Sequence, residues 1–149
     1  MKLDLTQATF IIPIRIESED RLRNVITSVA FLLNNFDTNI IIKEVDKTSV
    51  FAEQALPQLE SFFGVAKVKH IFEESDEPLF HRQKVLNEMI MEADTEVVVN
   101  YDCDVILPLS SYLCAATGIL TGYYDVVYPY GSGMFQRQVN AEDKLVSEF

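Results

Sequence analysis

Two aspartates one residue apart, Asp102 and Asp104, follow directly on a run of valines in NYDCDVILP, residues 100–108. Neighbouring anions at the mouth of an apolar strand repel one another and lose solvation, so they persist most easily when a divalent cation neutralises them. Carboxylate oxygens are hard ligands and favour Mg²⁺ or Mn²⁺ over zinc. The competing reading is a plain turn whose acids cap the helix that begins after Pro108. A second cluster, FHRQKVLNEMI at residues 80–90, puts Arg82 and Lys84 at a helix start, where backbone N–H groups already favour anions and a diphosphate can dock. Against it stands a solvated helix start whose cations answer the acidic loop of Glu73, Glu74, Asp76 and Glu77. Arg15 closes another apolar run, where a guanidinium needs either an acidic neighbour or a ligand phosphate.

Other candidates carry less. His70 falls in a strand and His81 at a helix start, and neither has a partner at ligand or triad spacing, so both read as structural. Gly131-Ser132-Gly133 has no following helix with Lys and Ser or Thr, which makes it a turn and not a phosphate loop. Tyr123, Tyr124, Tyr128, Tyr130 and Phe135 read as core packing more than as a sugar platform. Glu142 and Asp143 belong to a charged terminal segment.

The elements that must hold these residues follow from hydrophobic periodicity. Residues 9–15 (TFIIPIR) form a strand, and the recurrence of Leu22, Val25, Ile26, Val29, Leu32, Leu33 and Phe36 makes the next segment an amphipathic helix. Ser18 can cap that helix, with Glu19 and Asp20 in its first turn. Residues 39–46 (NIIIKEVD) are a second buried strand. Thr48 or Ser49 then opens a helical stretch that Pro57 must kink or divide. Residues 66–72 form a third strand, followed by a helix with Leu79, Val85, Leu86, Met89 and Ile90 inward. Residues 96–101 form the fourth strand, 109–120 a helix, and 125–130 (DVVYPY) a further strand.

This alternation predicts an α/β domain, a mostly parallel sheet with helices on both faces. Ligands bind such sheets beyond the carboxyl ends of the strands. Arg15, Glu44 with Asp46, and Asp102 with Asp104 all fall at those ends.

The chain's 149 residues, 48% of them hydrophobic, suit one compact domain spanning 1–149. Lys and Arg total 12 against 23 acidic residues, a net charge of −11, which argues against a nucleic-acid partner. An anionic ligand then requires a metal ion or well-placed arginines. Cys103 and Cys114 match no zinc spacing, and no apolar run suits a signal peptide or a transmembrane segment, so a soluble, cytoplasmic protein is expected.

Three motifs in order, Ile12-Pro13-Ile14-Arg15, Phe80-His81-Arg82-Gln83-Lys84 with Leu86-Asn87, and Asp102-Cys103-Asp104 followed by Pro108, resemble the β-1,4-galactosyltransferase-like branch of the GT-A glycosyltransferases over about residues 9–108. The resemblance implies a fold of the nucleotide-diphospho-sugar transferase type. It implies that Pro13, Arg15, Phe80 and Arg82 bind the nucleotide, with the arginines on the diphosphate and Phe80 near the base. Asp46 would face the nucleoside and Asp102 the ribose or sugar. Asp104, with Asp102, would ligate Mn²⁺ or Mg²⁺. The implied reaction is inverting transfer of a hexose from a UDP-sugar donor to a saccharide acceptor, in polysaccharide biosynthesis. Glu17 stands where that branch has a second arginine, and His81 where it has asparagine. The family's acceptor site and catalytic carboxylate come from segments beyond the aspartate pair. No catalytic residue is therefore assigned, and a truncated chain or minimal relative that keeps donor binding is expected. Two other readings compete. In a haloacid-dehalogenase-like phosphatase Asp102 would be nucleophile and Asp104 acid; in a non-catalytic module the chain would only hold a nucleotide sugar.

Overall fold

The computed structural model describes residues 1–64 and 68–131. The chain divides into two compact units, Met1–Val105 and Ile106–Phe149. Ser132, Gly133, Phe135, Glu142, Asp143 and Ala66 lie outside the described residues.

The first unit opens with β1 (Leu3–Ile14), which starts earlier than its apolar run and pairs in parallel with β2 (Phe36–Asp46). The early part is polar at alternate positions, and its pairing breaks register between Leu5 and Thr9. Asp4 Oδ1 accepts from both the Thr6 N–H and hydroxyl, and Asn39 Nδ2 donates to the carbonyls of Thr6 and Ala8 across the irregularity. Between the strands runs α1 (Glu19–Asn35). Its cap is the expected one, since Ser18 is extended and its Oγ accepts from the Arg21 N–H at 3.3 Å. No linker follows, because Phe36 is both the C-cap of α1 and the first residue of β2.

After β2 comes a π-helical turn (Phe51–Ala55), and then α2 (Leu56–Phe63) with Pro57 in its first turn, where a missing N–H costs no helical bond. Pro57 thus marks a change of winding. β3 (Val68–Glu74) takes Glu73 and Glu74 out of the acidic loop and into the sheet. α3 (Arg82–Glu92) buries Val85, Leu86 and Met89. Leu79 and Ile90, expected to point inward, are exposed: Leu79 precedes the helix, and Ile90 lies about 100° around it from Met89. β4 (Val97–Asn100) completes a four-stranded, all-parallel sheet in the order β3-β2-β1-β4.

Strand alternation sorts the core. Ile11, Ile41 and Val45 meet Val85, Leu86 and Met89 of α3 on one face. Phe10, Ile12, Ile42 and Glu44 point to the other, where the π-turn meets Glu44 through the Phe51 N–H. The buried Val25, Val29 and Leu32 of α1, a helix that contacts β2 and the π-turn, belong to that side. The order reverses at β1, with β2 on one side and β4 on the other. In parallel α/β sheets that is where a ligand crevice opens.

In the second unit, α4 (Leu109–Leu120) occupies the residues its periodicity predicts. Residues 125–130, expected to be a strand, are irregular. Pro129 removes a ladder donor there, and no strand pairs with them among the described residues. Tyr123, Tyr124, Tyr128 and Tyr130, expected in a core, are exposed. No helix of the described residues is long and apolar enough to cross a membrane.

Candidate functional site

The turn after β4 carries Asp102 and Asp104, and four contacts hold it. The Tyr101 N–H continues the ladder to the Ile11 carbonyl at 3.1 Å, and the buried Tyr101 ring meets Phe10 edge-on, centroids 5.4 Å apart. The Tyr101 hydroxyl donates to the Val105 carbonyl. Ser28 of α1, itself buried, donates its Oγ proton to the Cys103 carbonyl at 2.8 Å. Asp102 and Asp104 are therefore exposed side chains on a braced backbone. Between them, burial pushes the Cys103 thiol up, and the Asp104 and Asp102 carboxylates add to the rise. A neutral thiol is no nucleophile.

Arg82, the first residue of α3, reaches this turn. Its Nη2 donates to Asp102 Oδ1 at 2.5 Å and to Asn100 Oδ1 at 3.2 Å. Two residues expected to bind opposite parts of one ligand thus meet each other. Asn100, last in β4, is a partner that sequence reasoning passed over, although it opens the same NYDCD stretch.

Backbone carbonyls, and no acidic side chain among the described residues, meet Arg15. Its Nε donates to the Val45 carbonyl at 2.9 Å and its Nη1 to the Pro78 carbonyl at 3.3 Å, which braces the ends of β1 and β2 against the loop before α3. The guanidinium lies over the Phe80 ring, 5.5 Å from the centroid. Nη2 is buried and has no hydrogen-bond partner among the described residues. Buried donors are nearly always satisfied, so an orphan at the carboxyl end of the central strand needs an explanation.

Phe80, His81, Arg82, Gln83 and Lys84, at the start of α3, line an open hollow of about 670 Å³. Compared with known proteins, the chain matches no family model and no curated protein. Its site stands on geometry alone.

The other anticipated residues divide. Pro13 sits half-buried in β1, paired with Lys43 of β2. Asp46 ends β2, its Oδ1 accepting from the Lys47 N–H and its carbonyl from the Ser75 N–H. Glu44 does not join the crevice. It shares the parity of Ile42 and is fully buried, where it accepts from Ser49 Oγ at 2.6 Å and the Phe51 N–H at 3.0 Å and meets His70 Nε2 at 3.1 Å. Alternation along β2 was the signal for this inward turn. Lys84 takes the solvated role weighed for it, 3.8 Å from both Glu73 and Glu88. Both acids also bind Lys43. Burial works against the Lys43 charge, but Glu88 and Glu73 outweigh it and hold its ammonium above the usual range.

Among the described residues no group of three or more His, Cys, Asp or Glu is gathered to hold a metal. The donor set that exists is Asp102 with Asp104, two hard carboxylates on one turn. That set suits a cation which takes one or two protein carboxylates and completes its shell with water and ligand phosphates, the habit of Mg²⁺.

Proposed function

We propose that this chain is the donor-binding part of a GT-A-type glycosyltransferase of the β-1,4-galactosyltransferase-like branch, one that holds a UDP-hexose with Mn²⁺ or Mg²⁺ and passes the hexose, with inversion, to a saccharide acceptor. One observation carries the reading: Arg15 on Phe80 and Arg82 on Asp102 stand at the carboxyl ends of the adjacent strands β1 and β4, where the strand order reverses. Three sequence-distant motifs are thereby gathered at one end of one sheet.

In this reading the Nη2 of Arg15 and the guanidinium of Arg82 receive the diphosphate, and Phe80 offers its ring edge to the base. Asp46 lies toward the nucleoside, and Pro13 shapes the strand beneath. Asp102 and Asp104 would hold the metal, which supplies Lewis-acid stabilisation of the negative charge on a departing diphosphate. An acceptor hydroxyl attacks the anomeric carbon, the sugar–phosphate bond breaks, and the hydroxyl proton goes to a general base.

Titrating the protein with UDP, with and without Mn²⁺, tests this. Metal-dependent binding that Asp104→Asn abolishes is the expected result. Beryllofluoride binding without UDP affinity would instead favour the phosphatase, and UDP-sugar hydrolysis separates an enzyme from a binding module.

A further inference from the structure

Arg82 and Asp102 are asked by the donor-site reading to hold opposite charges, Arg82 an anion and Asp102 a cation. In the structure they hold each other, and Asn100 keeps the guanidinium aimed at the turn. Both side chains retain solvent contact, 37% for Arg82 and 60% for Asp102, so the pair is reachable and modest in strength.

We infer that this ion pair stands in for the ligand, and that a divalent cation and a diphosphate displace it together, each binding poorly without the other; the inference rests on the donor-site reading above. A cation alone must take the carboxylate from Arg82 and leave a guanidinium beside a dication. A diphosphate alone must take Arg82 and leave Asp102 beside a polyanion, on a chain whose net charge is −11. Either arrival exchanges one attraction for a like-charge contact. When both arrive, Asp102 turns to the cation and Arg82 to a phosphate, and every charge keeps an opposite neighbour. The coupling is reciprocal, so metal strengthens diphosphate binding by the factor by which diphosphate strengthens metal binding. Arg15 works differently. Its Nη2 has no partner to surrender among the described residues, so it supplies the part of the anion affinity that needs no metal.

Calorimetric titration of the full chain with UDP, and separately with inorganic pyrophosphate, in EDTA and in Mn²⁺ tests the exchange. The parent protein is expected to bind UDP weakly in EDTA and at least about tenfold more tightly with Mn²⁺, within the range of coupled sites. Asp102→Asn is expected to lose that gain and yet to bind UDP in EDTA about fivefold more tightly than the parent, because Arg82 is released from an exposed pair of about that worth. Asp104→Asn removes an equal charge from the same turn without freeing an arginine, and its gain in EDTA should be smaller. Should Asp102→Asn bind UDP in EDTA no better than the parent, or should Asp104→Asn match its gain, the exchange is wrong while the donor site stands. Pyrophosphate binding with the full pattern but no UDP binding overturns the nucleotide reading alone. Absence of binding by both ligands, with and without Mn²⁺, overturns both.

Discussion

Glu44 Oε2 and His70 Nε2 lie 3.1 Å apart across neighbouring strands, on a carboxylate with no solvent exposure. The His70 ring also packs on Phe51, centroids 5.0 Å apart, so this cluster joins β2, β3 and the π-turn. His70→Ala is expected to lower stability by about 1–3 kcal/mol, because it removes one of three hydrogen-bond partners from a buried carboxylate. The urea unfolding midpoint measures it. A midpoint equal to the parent's would show that Ser49 and Phe51 suffice for Glu44.

Acid should act through the same carboxylate. Burial alone would raise the Glu44 pKa, yet His70, Ser49 and the Phe51 N–H outweigh burial and hold it below its ordinary 4.5. A depressed carboxyl contributes stability that is present above its unfolded value and lost as the pH falls through its folded value. Stability should therefore fall as the pH drops below 4.5. Glu88, held low by Lys43, and Glu92, held low by Lys69, add to that slope. Glu44→Gln should be less stable at neutral pH and lose less on acidification; a curve parallel to the parent's would remove Glu44 as a source.

Arg15→Lys is not a mild change. An ammonium cannot span the Val45 and Pro78 carbonyls while lying flat on Phe80. Stability should drop by about 1–2 kcal/mol, and UDP affinity in Mn²⁺ by at least about tenfold, the worth of one charge-assisted bond. Calorimetry at a temperature where both proteins are folded separates the two effects. Unaltered affinity would reduce Arg15 to a brace.

Ser28→Ala tests the turn without touching a ligand-binding side chain. It leaves the Cys103 carbonyl short of a donor, at about 1–2 kcal/mol. The Mn²⁺-dependent gain in UDP affinity should shrink severalfold while affinity in EDTA stays level. An intact gain would mean that Tyr101 alone positions the turn.

Much of the scaffold is legible because strands buried on both faces read as nearly unbroken apolar runs, and their helices carry a 3.6-residue stripe. Ser18, Pro57 and residues 109–120 behave as local rules say, since caps and prolines act within one turn. What escapes is made in space. The Arg82–Asp102 pair spans twenty positions, a separation that no helix or strand period connects. The first residues of β1 are strand because β2 lies beside them, while residues 125–130 have strand-like composition and no such neighbour among the described residues. The residue types at the crevice are visible in the sequence; that Arg15 braces two carbonyls is not.

The placing of β1 between β2 and β4 has a last consequence. Amides of a strand laddered on both sides exchange with solvent only when much of the domain opens, whereas the first turn of a helix frays on its own. Arg15 directly follows the former, and Arg82 begins the latter. The crevice therefore has one stationary wall and one yielding wall, and ligand capture should register in deuterium uptake around the start of α3 far more than along the central strand.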